Sequence, residues 1–273
     1  MLSIKIGSMG AGRMATALAR GLVRADIVPA NSLIACDPSA EARDAFAKEV
    51  PGAAVAPDNV ADVARADVVF LAVKPQTMAV ALESLQGVIS QSALVVSIAA
   101  GVTLARLEAA LPSGQRVIRV MPNTPCLVGL GASGFALGKT AKKADGELVA
   151  SLLSAVGVAF EVPEKLLDAV TGLSGSGPAF VYSMIEALAA GGVAEGMSPE
   201  LAGELAARTV SGAAEMVLQT GETPAVLRDR VTSPGGTTLA GLGVLRERGF
   251  SETVSEAVQA ATRRSIELGQ STK

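Results

Sequence analysis

Residues 4–15 read IKIGSMGAGRMA, a short apolar run that leads into glycines and then into a helical pattern. Gly10, Gly12 and Ala15 fit the G-x-G-x-x-G/A fingerprint, in which a strand turns into a helix and the helix start binds a dinucleotide. In this fingerprint Gly10 permits a tight turn, Gly12 lets a pyrophosphate approach the backbone, and Ala15 lets the helix pack closely on the strand. The stretch therefore predicts a dinucleotide-binding turn and a helix over residues 14–23, although glycines can also serve only to form a turn.

Further short apolar runs recur through the first 160 residues or so. They cover residues 4–6, 33–36, 68–73, 94–98 and 117–120, and amphipathic segments lie between them. Runs that are apolar on both faces are typical of parallel strands covered by helices. The alternation predicts an α/β fold, a Rossmann-type doubly wound and mostly parallel sheet.

Beyond residue 163 the strand pattern stops and only helical patterns remain. Ser198 and Thr223 each precede a proline, which predicts an N-cap followed by proline at the first helical position. Ser251 is expected to open the last helix. We therefore divide the chain into a dinucleotide-binding domain, residues 1–163, and an all-α domain, residues 164–273.

The composition excludes several kinds of chemistry. The 273 residues include no His, no Trp and one Tyr, so a Ser-His-Asp triad, a Cys-His dyad and a His-ligated metal are all ruled out. The net charge of −3 and the 3% of aromatic residues argue against nucleic-acid binding. Cys36 and Cys126 are too few for a disulfide framework or a four-cysteine zinc site, so no metal is expected.

The sequence also favours a cytoplasmic protein. Two cysteines suit a reducing compartment. The apolar stretch over residues 179–194 contains Glu186 and two glycines and is short for a membrane span, and residues 1–12 lack the apolar run of a secretion signal. Neither a membrane nor secretion is therefore expected.

The second predicted strand ends next to candidate residues for the adenosine half of the cofactor. Asp37 follows the glycine turn by about 20 residues, where an acidic group binds the ribose hydroxyls of NAD. Ser39 and Arg43 would instead suit the 2′-phosphate of NADP if Asp37 turns away, so the choice between NADPH and NADH stays open. The rest of the cofactor is expected to pass the end of the third strand at Ala72, Val73, Lys74 and Pro75.

Two glycine-rich segments of the second half are predicted to be loops that lead into helices. They are TGLSGSGP at residues 171–178 and TSPGGTT at residues 232–238. Such loops present unpaired backbone N–H groups and hydroxyls, which suits a small carboxylate substrate. Well-capped turns would have the same residues.

Four motifs together resemble the pyrroline-5-carboxylate reductase family. They are VKPQ at residues 73–76, RVMPNTP at 119–125, TGLSGSGPA at 171–179 and VTSPGGTT at 231–238, in that family's order and spacing along essentially the whole chain. The resemblance implies reduction of L-1-pyrroline-5-carboxylate to L-proline with NADPH or NADH, the last step of proline biosynthesis. It also implies a homodimer built by the helical half, which in this family can assemble into a larger ring of dimers.

The resemblance implies roles for individual residues. The pyrophosphate loop would be Gly10, Gly12, Arg13 and Met14, and Asn59 would lie along the cofactor with residues 72–75. The nicotinamide end would be lined by Met121, Pro122 and Asn123. The substrate would be bound by Ser176, Ser233, Gly236, Thr237 and Thr238, with Thr238 as the catalytic donor to the ring nitrogen.

Two positions depart from the family pattern. Arg13 stands where the family commonly has Asn or Gln, and it suits either a phosphate or solvent. Gly221 stands where some members have Glu, and Glu222 is adjacent.

The absence of histidine agrees with this chemistry, because an imine can arrive protonated from water and catalysis then consists mainly of positioning. One alternative is a related imine reductase or β-hydroxyacid dehydrogenase. The hydroxyacid enzymes typically use a lysine in the helical half, where only Lys165 and Lys273 occur. Another alternative is a non-catalytic nucleotide-binding protein, which would not need the TSPGGTT loop.

Overall fold

The structure, a computed structural model, describes residues 1–271. The chain forms two compact units. The first contains Met1–Ser176 and the chain from Gln259 onward, and the second contains Gly177–Val258.

The first unit is built on one sheet of eight strands. The spatial order is β3-β2-β1-β4-β5-β6-β7-β8, and every neighbouring pair is parallel except β6 and β7. This doubly wound arrangement confirms the predicted fold class. The strands are β1 (Ile6–Met9), β2 (Leu33–Cys36), β3 (Ala54–Ala56), β4 (Val68–Leu71), β5 (Leu94–Ser97), β6 (Arg116–Met121), β7 (Gly131–Leu137) and β8 (Gly157–Glu161).

Helices cover both faces of this sheet. Leu22, Phe46 and Leu152 belong to the core on one face, and Leu82 and Leu107 belong to the core on the other. Strand residues alternate between the two cores, as the period of two along a strand requires. The helices of this part are α1 (Arg13–Arg24), α2 (Ala40–Glu49), α3 (Val60–Ala64), α4 (Met78–Leu85), α5 (Leu104–Ala110), α6 (Lys143–Leu153) and α7 (Leu167–Val170).

The second unit is helical, as predicted. Its first three helices are α8 (Gly177–Ala194), α9 (Pro199–Thr220) and α10 (Pro224–Arg230), and they are followed by α11 (Thr237–Glu247) and α12 (Phe250–Ser271), which contributes residues to both units. The predicted caps of α9 and α10 are confirmed, because the hydroxyls of Ser198 and Thr223 accept hydrogen bonds from Leu201 N and Val226 N. The predicted start of the last helix was wrong by one residue, since α12 already begins at Phe250.

The two compact units do not divide where the strand pattern stops. The predicted boundary follows residue 163, whereas the first unit continues to Ser176. The reason is packing: Leu167 in α7 is fully buried and belongs to the core beneath the sheet. The chain therefore becomes helical before it leaves the first unit.

One helical stretch among the described residues, Glu164–Ala194, is long and apolar enough to cross a membrane by length and composition alone. The expectation that the apolar segment is too short rested on residues 179–194 and was wrong in this respect. No residue in the most apolar window of this stretch is buried in the single chain. An exposed apolar helix is also what a subunit interface requires.

Candidate cofactor and substrate sites

The turn between β1 and α1 has the geometry of a phosphate-binding loop. Gly10 has φ +106°, and a Cβ there would come within 2.8 Å of the Ala72 carbonyl oxygen, so only glycine fits. Gly12 is the N-cap of α1, and a Cβ there would meet no atom within 4 Å. The first turn of α1 has neither a side-chain cap nor an acidic residue. Its backbone N–H groups are therefore free to bind an anion.

The carboxylate of Asp37 is hydrogen-bonded to this turn. One oxygen accepts a hydrogen bond from Ala11 N at 2.8 Å, and the other accepts one from Ser39 N at 2.9 Å. Asp37 therefore fixes the glycine turn and the start of α2 at the same time. The predicted contact between Asp37 and the ribose would have to form beside these two bonds.

Ser39 and Arg43 are both engaged with the backbone of the β2–α2 turn. The Ser39 hydroxyl accepts from Ala42 N and caps α2, and Arg43 Nη1 donates to the carbonyl oxygens of Asp37 and Pro38 at 2.8 and 2.9 Å. A cavity of about 410 Å³ lies between α1 and α2. Its lining includes Gly12, the exposed Arg13 and Ser39. These residues surround a space next to the glycine turn.

Other predicted cofactor residues lie at the carboxyl ends of strands or at the start of a helix. Asn59 is the N-cap of α3, and Ala72 N donates to Met9 O at 2.9 Å, which joins the ends of β1 and β4. Lys74 is exposed and Val73 and Pro75 are partly buried beside it. Met14 instead packs partly against the hydrophobic core.

Cys36 ends β2 directly before Asp37. Its thiol donates to Pro57 O at 3.2 Å. Burial raises the pKa of the Cys36 thiol, and burial raises the pKa of Cys126 as well. Both groups are therefore protonated and unreactive near neutral pH.

At the end of β6 the structure places Met121, Pro122 and Asn123 in sequence, with the first partly buried and the others buried. The Asn123 side chain is engaged within the protein, because its oxygen accepts from Ala132 N at 2.9 Å and its nitrogen donates to Ser174 O at 3.1 Å.

The prediction of a loop over residues 171–178 was wrong. Thr171–Gly175 forms a π-helical turn after α7, and Ser176 N donates to Thr171 O at 2.8 Å. Backbone groups within a helical turn are paired and do not form an anion cradle. Gly175 explains part of this geometry, because a Cβ there would come within 2.6 Å of Met121 Cε. Ser176 directly follows this turn and stays a predicted substrate-binding residue.

The prediction of a loop before α11 was correct. Gly235 has φ +72°, and Gly236 N donates to Ser233 O at 2.9 Å, so the chain turns tightly before Thr237. The N-cap of α11 is Gly236, which has no side chain to cap the first turn. This contrasts with the hydroxyl caps of α9 and α10 in the same unit. The first N–H groups of α11 are therefore open to a ligand beside Thr237 and Thr238.

The departure at Gly221 has a structural explanation. Gly221 ends α9 with φ +66°, a left-handed conformation that favours glycine. Glu222 forms a two-point ion pair with Arg230, at 2.5 and 2.6 Å. Its carboxylate is thus engaged with a neighbouring helix of the same unit.

Comparisons with known proteins agree over the whole chain. Residues 164–268 match the family model for pyrroline-5-carboxylate reductase dimerisation, and residues 5–101 match the model for NADP oxidoreductase, coenzyme F420-dependent. The pyrroline-5-carboxylate reductase of Methanosarcina acetivorans is 48% identical over 269 residues, which is 97% of this chain and 98% of that protein. That of Arabidopsis thaliana is 48% identical over 271 residues, or 98% of this chain and 97% of that protein.

Solved structures give the same result. The pyrroline-5-carboxylate reductase of Coxiella burnetii has a TM-score of 0.91 at 36% identity and covers 98% of this chain and 99% of its own. The pyrroline carboxylate reductase of Plasmodium falciparum, solved with NADP bound, has a TM-score of 0.87 at 36% identity with the same coverage. Since relatives this similar span nearly the full length of both chains, the chain belongs to the pyrroline-5-carboxylate reductase family.

Proposed function

We propose that this protein reduces L-1-pyrroline-5-carboxylate to L-proline by hydride transfer from NADPH or NADH, the last step of proline biosynthesis. Membership of the family supports the reaction. The observation that carries the proposal within this chain is the start of α11, where Gly236 leaves the first helical turn uncapped while the hydroxyls of Ser198 and Thr223 cap α9 and α10.

An uncapped helix start is suited to the carboxylate of the substrate. Several backbone N–H groups point out of the first turn, and the helix dipole favours a negative charge there. The hydroxyls of Ser233 and Thr237 add donors close by. Uncharged donors of this kind bind a carboxylate without the cost of burying Lys or Arg.

Thr238 is the proposed hydrogen-bond partner of the ring nitrogen, and its hydroxyl oxygen would accept from the N–H of the protonated imine. It is partly buried in the first turn of α11, next to the proposed carboxylate site. The carbon of a protonated imine accepts hydride directly, so the hydroxyl needs only to orient the nitrogen. This explains how a chain without histidine performs the reaction.

The cofactor is proposed to bind along the carboxyl ends of β1, β4 and β6. The pyrophosphate would lie on the N–H groups at the start of α1, beside Gly12 and Arg13, while Gly10 forms the turn and its own N–H donates to Cys36 O at 2.7 Å. Asn59 and residues 72–75 would follow along the cofactor, and Met121 and Pro122 would contact the nicotinamide. The nicotinamide ring supplies the hydride, while these residues bind and orient it.

We further propose a cytoplasmic homodimer. The family model for pyrroline-5-carboxylate reductase dimerisation matches residues 164–268. Apolar side chains such as Tyr182, Leu188 and Leu218 are exposed in the single chain. Two free, buried thiols suit a reducing compartment. The larger ring of dimers stays a prediction from the family resemblance.

The carboxylate site can be tested with two substrates. We expect NADPH oxidation with pyrroline-5-carboxylate to exceed that with 1-pyrroline, which lacks the carboxylate, by roughly 30- to 150-fold in kcat/KM, because charge-assisted hydrogen bonds contribute about 2–3 kcal/mol. A variant with Gly236→Asp should lose most of this preference, since its Cβ would displace the Ser233 hydroxyl and its carboxylate would cap α11 and repel the substrate. Equal kcat/KM for both substrates would contradict the proposed site.

A further inference from the structure

A buried amide lies just beyond the end of β6. Asn123 is 8% exposed and follows Met121 by two residues. Its side-chain oxygen accepts a hydrogen bond from Ala132 N, near the start of β7, at 2.9 Å. Its side-chain nitrogen donates to Ser174 O in the π-helical turn at 3.1 Å. One side chain thus joins a strand end, a strand start and a helical turn.

A third hydrogen bond closes this arrangement. The hydroxyl of Ser174 donates to Ala132 O at 2.5 Å, so that Asn123, Ala132 and Ser174 are bonded pairwise. Buried polar groups that satisfy one another in this way favour one geometry over others. The three bonds therefore fix the position of the π-helical turn relative to the end of β6 and the start of β7.

The π-helical turn packs directly on a proposed cofactor residue. Gly175 lies so close to Met121 that a Cβ would come within 2.6 Å of Met121 Cε. At Gly134 in β7 an added Cβ would meet Val170 of α7 at 3.0 Å. Close-packed contacts of this kind transmit small displacements, because the interior has little free volume. A shift of the turn would therefore move Met121.

We propose that Asn123 is a positioning residue for hydride transfer, which acts through the π-helical turn on Met121 and does not act by touching the cofactor. The inference rests on the proposed function and assigns Asn123 a different role from the one that the family resemblance implies. Ser174 has the same proposed role, because its hydroxyl also holds the turn to Ala132. π-helical turns often occur at functional sites, and here one is fixed by two side chains of the described chain.

The test compares Asn123→Ala and Ser174→Ala with a matched control, Gln115→Ala. Gln115 lies at the opposite end of β6, is 3% exposed, and donates from its side-chain amide to Ala93 O at 2.6 Å. Both amides are buried and donate to backbone carbonyl oxygens, so each loss should lower the unfolding temperature, and that of Asn123 should lower it more because the buried Gln115 Oε1 has no partner to lose. Of these three side chains, those of Asn123 and Ser174 form hydrogen bonds that hold the turn packed on Met121, and that of Gln115 does not.

Three quantities are measured for each full-length variant: kcat, the Kd of NADPH, and the Kd of 2′-phospho-ADP-ribose, which lacks the nicotinamide. In Asn123→Ala and Ser174→Ala we expect kcat to fall about tenfold or more, because the nicotinamide and the substrate would be misplaced relative to each other. The affinity for NADPH should fall about fivefold. The affinity for 2′-phospho-ADP-ribose should be unchanged, because this ligand has no nicotinamide. The double variant should be no worse than Asn123→Ala, because both side chains act through one turn. Gln115→Ala should keep kcat and both affinities.

Two results would overturn the inference. One is a loss of kcat in Gln115→Ala as large as in Asn123→Ala, which would show general destabilisation. The other is an unchanged ratio of NADPH to 2′-phospho-ADP-ribose affinity in Asn123→Ala. If the unchanged protein does not reduce pyrroline-5-carboxylate, the proposed function fails. The ratio of the two affinities does not depend on turnover, so it still tests this inference separately.

Discussion

At Gly12 the absence of a side chain creates space for a ligand. The backbone there has φ −71° and ψ 179°, a conformation that any residue adopts, and an added Cβ would meet no protein atom within 4 Å. The glycine is therefore unnecessary for the fold of this turn. A pyrophosphate approaching the N–H groups of α1 explains it.

Replacement of this glycine should separate binding from stability. We expect Gly12→Val to weaken NADPH binding by at least about tenfold, or roughly 1.4 kcal/mol, because its methyl groups occupy the pyrophosphate site. Isothermal titration with NADPH measures the loss. The unfolding temperature of the free protein serves as the control and should fall only slightly, because valine is a poorer N-cap than glycine. Unaltered affinity would contradict the placement of the pyrophosphate.

Thr238 allows a second test at a single residue. We expect Thr238→Ala to lower kcat by about 10- to 100-fold, or roughly 1.4–2.7 kcal/mol of barrier, because the N–H of the protonated imine loses the hydroxyl that orients it. Thr238→Ser keeps the hydroxyl and should keep most of the activity. Steady-state kinetics with pyrroline-5-carboxylate measures both variants, and NADPH affinity should be the same in each. Full activity of Thr238→Ala would remove this residue from the mechanism.

The sequence predicts these residues better than it predicts their contacts. Gly10 and Gly12 follow from the fingerprint, because its spacing encodes a backbone geometry. Asp37 also follows from spacing, but its bonds to Ala11 N and Ser39 N do not, because spacing leaves the side-chain rotamer undetermined. The same holds for Asn123, whose two partners, Ala132 and Ser174, lie 9 and 51 residues further along the chain.

At the scale of elements, the five buried strands were predicted because branched residues mark them directly. Two of the three remaining strands, β3 and β7, were missed for identifiable reasons. β3 has only three residues and none is buried, and β7 contains Gly131 and Gly134, which weaken the strand pattern. The π-helical turn was missed because its glycines and serines also occur in loops, and only the packing of Gly175 on Met121 distinguishes the two.

An ion pair connects β6 to the segment that precedes the π-helical turn. Arg119 has a 5% exposed side chain, and its guanidinium lies 3.1 Å from Glu164 Oε1 and 3.9 Å from Asp168 Oδ1. Glu164 also accepts a hydrogen bond from Leu104 N at the start of α5, at 2.7 Å. The pair therefore anchors α7 to the sheet unit, beyond the predicted domain boundary at residue 163.

Removal of this arginine should reduce stability. We expect Arg119→Met to lower the free energy of unfolding by about 2–3 kcal/mol, below the usual range for buried pairs because Glu164 and Asp168 are partly exposed. Urea unfolding followed by circular dichroism measures the change. Lys139→Met, which removes an exposed partner of Glu108, is the control and should change stability little. Equal stability of both variants would contradict this anchoring role.

At the scale of the whole molecule, the single chain leaves much apolar surface uncovered. Charged residues make up only 18% of the sequence, and large apolar side chains of the second unit, such as Leu188 and Leu218, are exposed. Surface of this kind is usually covered by another subunit. We expect light scattering after size exclusion to give a mass of at least twice the 27.4 kDa of one chain. A monomer at micromolar concentration would contradict the proposed dimer, and a larger even multiple would support the ring.

The reaction itself is the most direct test of the account. The purified protein is incubated with NADPH and L-1-pyrroline-5-carboxylate, and NADPH oxidation and L-proline formation are measured together. We predict oxidation that depends on the substrate, with one L-proline formed for each NADPH consumed. NADPH binding without substrate-dependent oxidation, or oxidation without L-proline, would contradict the central claim.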